Sequence, residues 1–166
     1  MTTAFRIVRL YTLAAWVGSL FFFGFVAAIA FSTMPDIHLA GIIVRKALAA
    51  LHNIGFASGL IYLLFTLALL GTQRDSHPIR AAELALVVIM LSLTAYSQFS
   101  VMPRMEKDRI ALGGDVAQAS LNAPARIHFD RLHRISVRVE GTIFIQGLLL
   151  LGMAAVHGRD DFDRFN

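Results

Sequence analysis

The sequence predicts an all-α integral membrane protein: a four-transmembrane-helix antiparallel bundle. Three observations lead there. Four stretches, Leu10–Pro35, Ala47–Gln73, Leu84–Pro103 and Gly141–Gly158, contain no Asp, Glu, Lys or Arg. Each is long enough for a helix rising about 1.5 Å per residue to cross roughly 30 Å of hydrocarbon. The 166 residues are 57% hydrophobic and 16% charged, so the spans and their connections form a single membrane domain over 1–166 with no separate soluble domain inside it.

The first span is expected at about residues 8–32, stopped by Pro35-Asp36. Arg6 and Arg9 with Ala28-Ile29-Ala30 imitate a signal peptide, but the apolar run is too long and three more spans follow. The second span is expected at about 46–71 and ends at Gly71. A tight polar connection, Thr72–Pro78, offers Ser76 and Pro78 as helix starters. The third span covers about 79–102, with Arg104–Leu112 as a helical extension beyond Pro103. Gly113-Gly114 breaks it, and Asp115–Ser120 has the composition for one more turn. The long connection, about 103–134, is thus partly helical. Its Ile110, Leu112 and Leu121 call for burial against the bundle. Asn122-Ala123-Pro124 starts the last helix, whose span is about 135–157. The tail Arg159–Asn166 is polar and expected to fray.

Four spans put both termini on one side, here side A, with the 72–78 connection. Side B holds the other two connections. Side A carries six basic residues (Arg6, Arg9, Arg74, Arg80, Arg159, Arg164) and side B nine (Arg45, Lys46, Arg104, Lys107, Arg109, Arg126, Arg131, Arg134, Arg138). Positive-inside counting places side B in the cytoplasm and the termini in the periplasm. Lys+Arg exceed Asp+Glu by 15 to 11, but the basic residues flank apolar spans. That pattern suits the lipid bilayer and its anionic headgroups, not nucleic acid. The absence of Cys excludes disulfides, thiol catalysis and thiolate metal sites.

Polar groups at membrane depth are the candidate site. His52 lies about two turns into the second span from side B, Gln98 about one turn in on the third, and Glu140 one to two turns in on the fourth. Three helices thus deliver polar groups to one layer. Phe129, Leu132, His133, Ser136 and Glu140 recur at three- and four-residue spacing, which predicts one inward face. Arg138 is off that face and is expected to snorkel. The proposed site is a polar cavity faced by His133, Arg104 and Glu140, with Ser136 beside them and bordered by His52 and Gln98. The ordinary alternative is that these groups only make interhelical hydrogen bonds, each worth about 0.6 kcal/mol and at most about 2.

Other chemistry is open on the same residues. Haem b between helices needs two facing imidazoles at matching depth, and His52 and His133 come from the right end of the bundle. Seven residues on the fourth helix separate His133 from Glu140, so its depth differs from that of His52 by about 10 Å. A copper site has His38, His133, Met34, Met102 and Met105 near side B. A quinone or lipid headgroup, or a proton relay through Glu140 and His52, also fits these residue types. No spacing identifies a substrate. The function expected is that of a non-enzymatic packing, assembly or transport partner, with a redox protein as the alternative and a membrane-protein partner or homo-oligomer as its company. Ala14/Gly18, Gly24/Ala28 and Gly55/Gly59 are small pairs suited to close helix packing.

Several segments carry a family pattern. They are Trp16-Val17-Gly18, Phe21-Phe22-Phe23, Pro103-Arg104-Met105-Glu106-Lys107-Asp108-Arg109 and Phe129-Asp130-Arg131-Leu132-His133-Arg134-Ile135-Ser136. In these the chain resembles the uncharacterised four-span family related to transmembrane protein 205. The resemblance implies a bacterial inner-membrane protein with no assigned reaction, and it draws attention to His133 and Arg104. The family pattern often has Asn where this chain has Glu140.

The topology has a direct test. Single cysteines placed at Thr2, Asp75 and Arg164 in this Cys-free chain should react with a membrane-impermeant maleimide from the same side. Labelling from opposite sides would refute four spans.

Overall fold

A computed structural model describes residues 2–72 and 78–163. Among them there is no strand. Helix α1 covers Thr2–Thr33, α2 Ile37–Thr72, α3 Pro78–Tyr96, α4 Met102–Ala111 and α5 Pro124–Asp163. A π-helical turn, Ser97–Val101, joins α3 to α4. Four of the resulting rods are long and apolar enough to cross a membrane. The chain is a multi-pass, all-α membrane protein.

The helices outrun the expected spans. Helix α2 starts at Ile37, so its first turns stand before Arg45 and Lys46, and only residues 34–36 separate it from α1. Asp36 caps this start by accepting a hydrogen bond from the His38 N–H at 2.8 Å. Helix α5 runs through Arg159 to Asp163 where fraying is expected, since nothing in 159–163 breaks a helix. The 73–77 part of the side A connection, with Arg74 and Ser76, and residues 164–166 lie outside the described residues.

The helical backbone passes Pro103 without ending, because Pro103 stands in the first turn of α4. A proline there removes no needed donor. The π turn carries the rod across this point, with the Met102 N–H bonded to the Ser97 carbonyl. Gly113 and Gly114 then adopt φ of +73° and +94°, a region open mainly to glycine. Asp115–Ser120 forms turns and no helix. Polar contacts hold this connection in place of the expected burial. Arg126 donates to the Val116 carbonyl, and Arg109 to the Gly114 carbonyl at 3.1 Å. Ile110 and Leu121 are exposed. An apolar side chain at a bilayer boundary pays no water penalty, so hydrophobic burial does not decide its position.

The core lies between all four rods. Leu13, Trp16, Val17 and Leu20 come from α1, Leu51 and Tyr62 from α2, Val87 and Met90 from α3, and Ile143 and Leu150 from α5. Their outward neighbours, such as Phe22, Leu64, Val88 and Leu149, are exposed and make the lipid-facing surface. Trp16 is the central wedge. A Cβ at Gly55 would sit 2.7 Å from its Nε1, and one at Gly59 would sit 2.6 Å from its Cζ3. These two glycines let the α1 indole lie against the bare α2 backbone. The α1 pairs behave otherwise. Gly18 and Gly24 would meet nothing within 4 Å, so no helix approaches them.

The wedge predicts a mutational pattern. Gly55→Ala should destabilise by about 1–3 kcal/mol through overpacking, despite gaining about 1 kcal/mol in helix propensity. Replacing Trp16 by Leu in the same chain should recover most of that loss in an unfolding titration. A neutral Gly55→Ala would remove the wedge from the account.

Candidate functional site

The side B layer forms around His52, which is 1% exposed. Its Nε2 lies 2.9 Å from Glu140 Oε1, and its Nδ1 lies 2.7 Å from Gln98 Oε1. Ser97 Oγ donates to the same Glu140 oxygen at 2.9 Å. Helix α2, the π turn and α5 each contribute. In a regular helix Ser97 and Gln98 point about 100° apart. The wider π turn is where both reach the centre, a use such turns often have. Two hydrogen-bond patterns satisfy His52. An imidazolium donates to both oxygens. Alternatively, a neutral ring donates only to Glu140 and accepts from the Gln98 amide turned over.

Glu140 Oε2 is buried and has no hydrogen-bond partner among the described residues. The residue forms part of the wall of a groove of about 1000 Å³ bounded by the side B halves of α1 and α2, by α4 and by α5. His133 and Ser136 also line this groove, as do Phe21, Phe25 and Phe144. It opens between α1 and α5, where the lining residues Phe21, Phe25 and Val137 are exposed.

The expected α5 face therefore splits. Leu132 and Ser136 are buried, whereas His133 is exposed on the groove side. Arg104 is exposed and does not line the groove, because the π turn sets the rotation of α4 relative to α3. The cavity is thus not shared by Arg104, and His52 and Gln98 lie behind Glu140 and not on the wall. Arg138 is exposed.

The groove mouth is a lattice of paired charges. Glu106 bridges Arg109, at 2.6 and 2.9 Å, and Arg45 of α2. Glu106 lies past the charge-free run that ends at Pro103. The Arg126 Nε donates to Asp130 at 3.1 Å, and His128 Nδ1 lies 2.6 Å from Asp108.

A second polar centre, toward side A, was not legible in the spacing. Arg9 of α1 donates to Glu83 Oε2 of α3 at 2.5 Å and to the Tyr62 hydroxyl of α2 at 2.8 Å. Its guanidinium stacks 4.7 Å from the Tyr62 ring centre. Glu83 and Tyr62 are fully buried, and Arg80 is buried one turn before Glu83. Arg9 and Glu83 each sit one residue before a charge-free run, so they read as headgroup contacts. The missed signal is their equal depth from side A.

The two centres invite different chemistry. The Arg9–Glu83 pair is an enclosed ionic clamp joining three helices, with Arg9 Nε and Glu83 Oε1 left without hydrogen-bond partners among the described residues. At the Glu140 centre the residue lines a groove while its Oε2 is buried and unpartnered among the described residues. His52 does not fit an axial haem ligand, since both ring nitrogens are engaged and the ring is enclosed. Of the candidate copper ligands, His38, Met102, Met105 and His133 line the groove. Among the described residues no three His, Asp or Glu side chains converge as metal ligands would.

Removing one partner of the clamp strands a buried charge. Arg9→Leu should cost about 3–5 kcal/mol, and Arg9→Leu with Glu83→Leu should regain most of it. Unfolding titrations of the three proteins in mixed micelles measure this. A double variant no better than the single would show that the pair is not a closed unit.

No curated protein and no solved structure matches the chain. A family model described as a domain of unknown function, DUF4149, matches residues 11–109. That match takes in most of the first span, the second and third spans, the Trp16 wedge, Tyr62 and Glu83 of the clamp but not Arg9, His52 and the π turn, and stops before α5. With well over half of its residues matched, this chain belongs to the DUF4149 family of unknown function.

Proposed function

We propose that the protein is a non-enzymatic membrane partner, a carrier or assembly component that admits a membrane-soluble ligand sideways into the side B groove. The observation that carries this reading is Glu140. One oxygen is fixed by His52 and Ser97, and the other is buried without a partner among the described residues on a residue that lines the groove. Glu83 Oε1 is likewise buried without a partner, but Glu83 is fully enclosed and does not line this groove, so it is the place of Glu140 on the groove wall that sets it apart. The walls support the same reading. Phe21, Phe25, Phe31, Phe129 and Phe144 supply apolar surface around one polar point, the usual make-up of a small-molecule site.

A bacterial inner membrane and cytoplasmic side B belong to this proposal, on the count of nine basic residues against six. So does kinship with the family related to transmembrane protein 205, which rests on the Pro103-Arg104-Met105 and Phe129/Leu132/His133/Ser136 patterns.

Photolabelling tests the groove. A neutral diazirine-bearing lipid, irradiated with the protein in nanodiscs, should label residues 21–31 of α1 and 137–144 of α5 above the other lipid-facing surfaces. Gly141→Phe, which places a ring in open groove space, should remove that excess. Uniform labelling of every outward face, unchanged by the variant, would leave the groove without a role.

A further inference from the structure

We propose that the ligand of this groove is a lipophilic organic cation, held by Glu140 as its counter-ion. The inference rests on the groove being a ligand site and adds the ligand's charge and class.

The first support is charge balance. Arginines 45, 109 and 126 line the groove against the acids Glu106, Asp115, Asp130 and Glu140, so the lining carries one net negative charge with His38 and His133 neutral. The arginines are already taken. Glu106 holds Arg45 and Arg109, and Asp130 holds Arg126. Glu140 has no Arg or Lys partner among the described residues; its ion-pair contact is the His52 ring. Of the four groove acids it is the one with a buried oxygen that has no hydrogen-bond partner among the described residues. An anionic amphiphile would meet the charge of the Glu140 carboxylate at the wall, while Arg45, Arg109 and Arg126 are already held by acids.

The second support is the nature of the walls. An inorganic cation needs several oxygen ligands, and the Ser97 hydroxyl beside Glu140 is spent donating to its Oε1, with no converging group of His, Asp and Glu among the described residues. The groove instead presents Phe21, Phe25, Phe129 and Phe144, whose ring faces attract a diffuse positive charge. Phe21 stacks on Phe144 at 6.2 Å and meets Phe25 edge-on at 5.1 Å, so the aromatic surface is continuous from α1 to α5. A cation with its charge spread over a large apolar body pays little to leave water and fits such a lining.

The third support is room. A Cβ at Gly24, Gly41 or Gly141 would meet nothing within 4 Å. All three line the groove, one on each of α1, α2 and α5. Bare backbone recesses three walls of the space, which suits a bulky ligand better than a single acyl chain.

Two ions of one shape and opposite charge decide the matter. Tetraphenylphosphonium should bind the purified protein in equilibrium dialysis at least ~10-fold more tightly than tetraphenylborate, and Glu140→Gln should abolish that preference. The native chain gives an independent readout. Dicyclohexylcarbodiimide should modify Glu140, and tetraphenylphosphonium should protect it while tetraphenylborate does not; modification at Glu83, if present, should be unaffected by either. This second measurement stands even if Glu140→Gln fails to fold. Equal retention of both ions, with no protection of Glu140, would overturn the cation assignment and leave the groove as a site for neutral lipids. Failure of both ions to bind, together with the absence of lipid photolabel in the groove, would overturn the groove reading itself.

Discussion

Hydrocarbon supplies neither hydrogen bonds nor counter-charges, and the arrangement of this bundle follows from that constraint. Every charged group drawn inward needs a partner from another helix. Arg9 reaches Glu83 and Tyr62, and His52 reaches Glu140 and Gln98. Each centre joins three segments distant in sequence. The clamp ties α1, α2 and α3 near side A, and the His52 centre ties α2, the π turn and α5 near side B. Between them lies a dry layer in which Trp16 fills the space left by Gly55 and Gly59.

Both polar centres leave a buried carboxylate oxygen without a hydrogen-bond partner, and they differ in where it lies: Glu83 is enclosed, whereas Glu140 belongs to a groove wall. Arg9 and Glu83 neutralise one another at the end of the bundle where the helices pack closely. Glu140 lines a groove between the side B half of α1 and α5, while Val17 meets Gly147 about two turns deeper. A Cβ at Gly147 would lie 2.7 Å from Val17 Cγ2, so this contact is the hinge point of the divergence. Close packing below and open space above put one carboxylate residue on an aromatic wall.

The π turn links fold to site. One added residue in the turn lets Ser97 and Gln98 both serve the centre, and it carries the rod past Pro103 into α4. The same turn resets the rotation of α4. Glu106 thereby reaches Arg45 of α2 and closes the groove mouth, while Arg104 is left outside. The helical extension expected beyond Pro103 is present, with the proline in the first turn of α4 just after the π turn.

The sequence by itself determined the four spans, their antiparallel order and the layer shared by His52, Gln98 and Glu140. Charge-free length and helical rise are local properties, and depth along a helix is counted from its ends. Residue type also marked Gly55 and Gly59 as a packing pair, though not its partner, Trp16. The tertiary structure decided what depends on rotation and on distant pairing. It drew Arg9 and Glu83 inward from positions that resemble headgroup contacts, turned His133 toward the groove and left Arg104 outside it. It also left Ile110 and Leu121 exposed, because a bilayer boundary does not drive apolar side chains together as water does. Depth is written in the order of residues; which face meets which neighbour depends on a π turn and on close contacts between segments far apart in the chain.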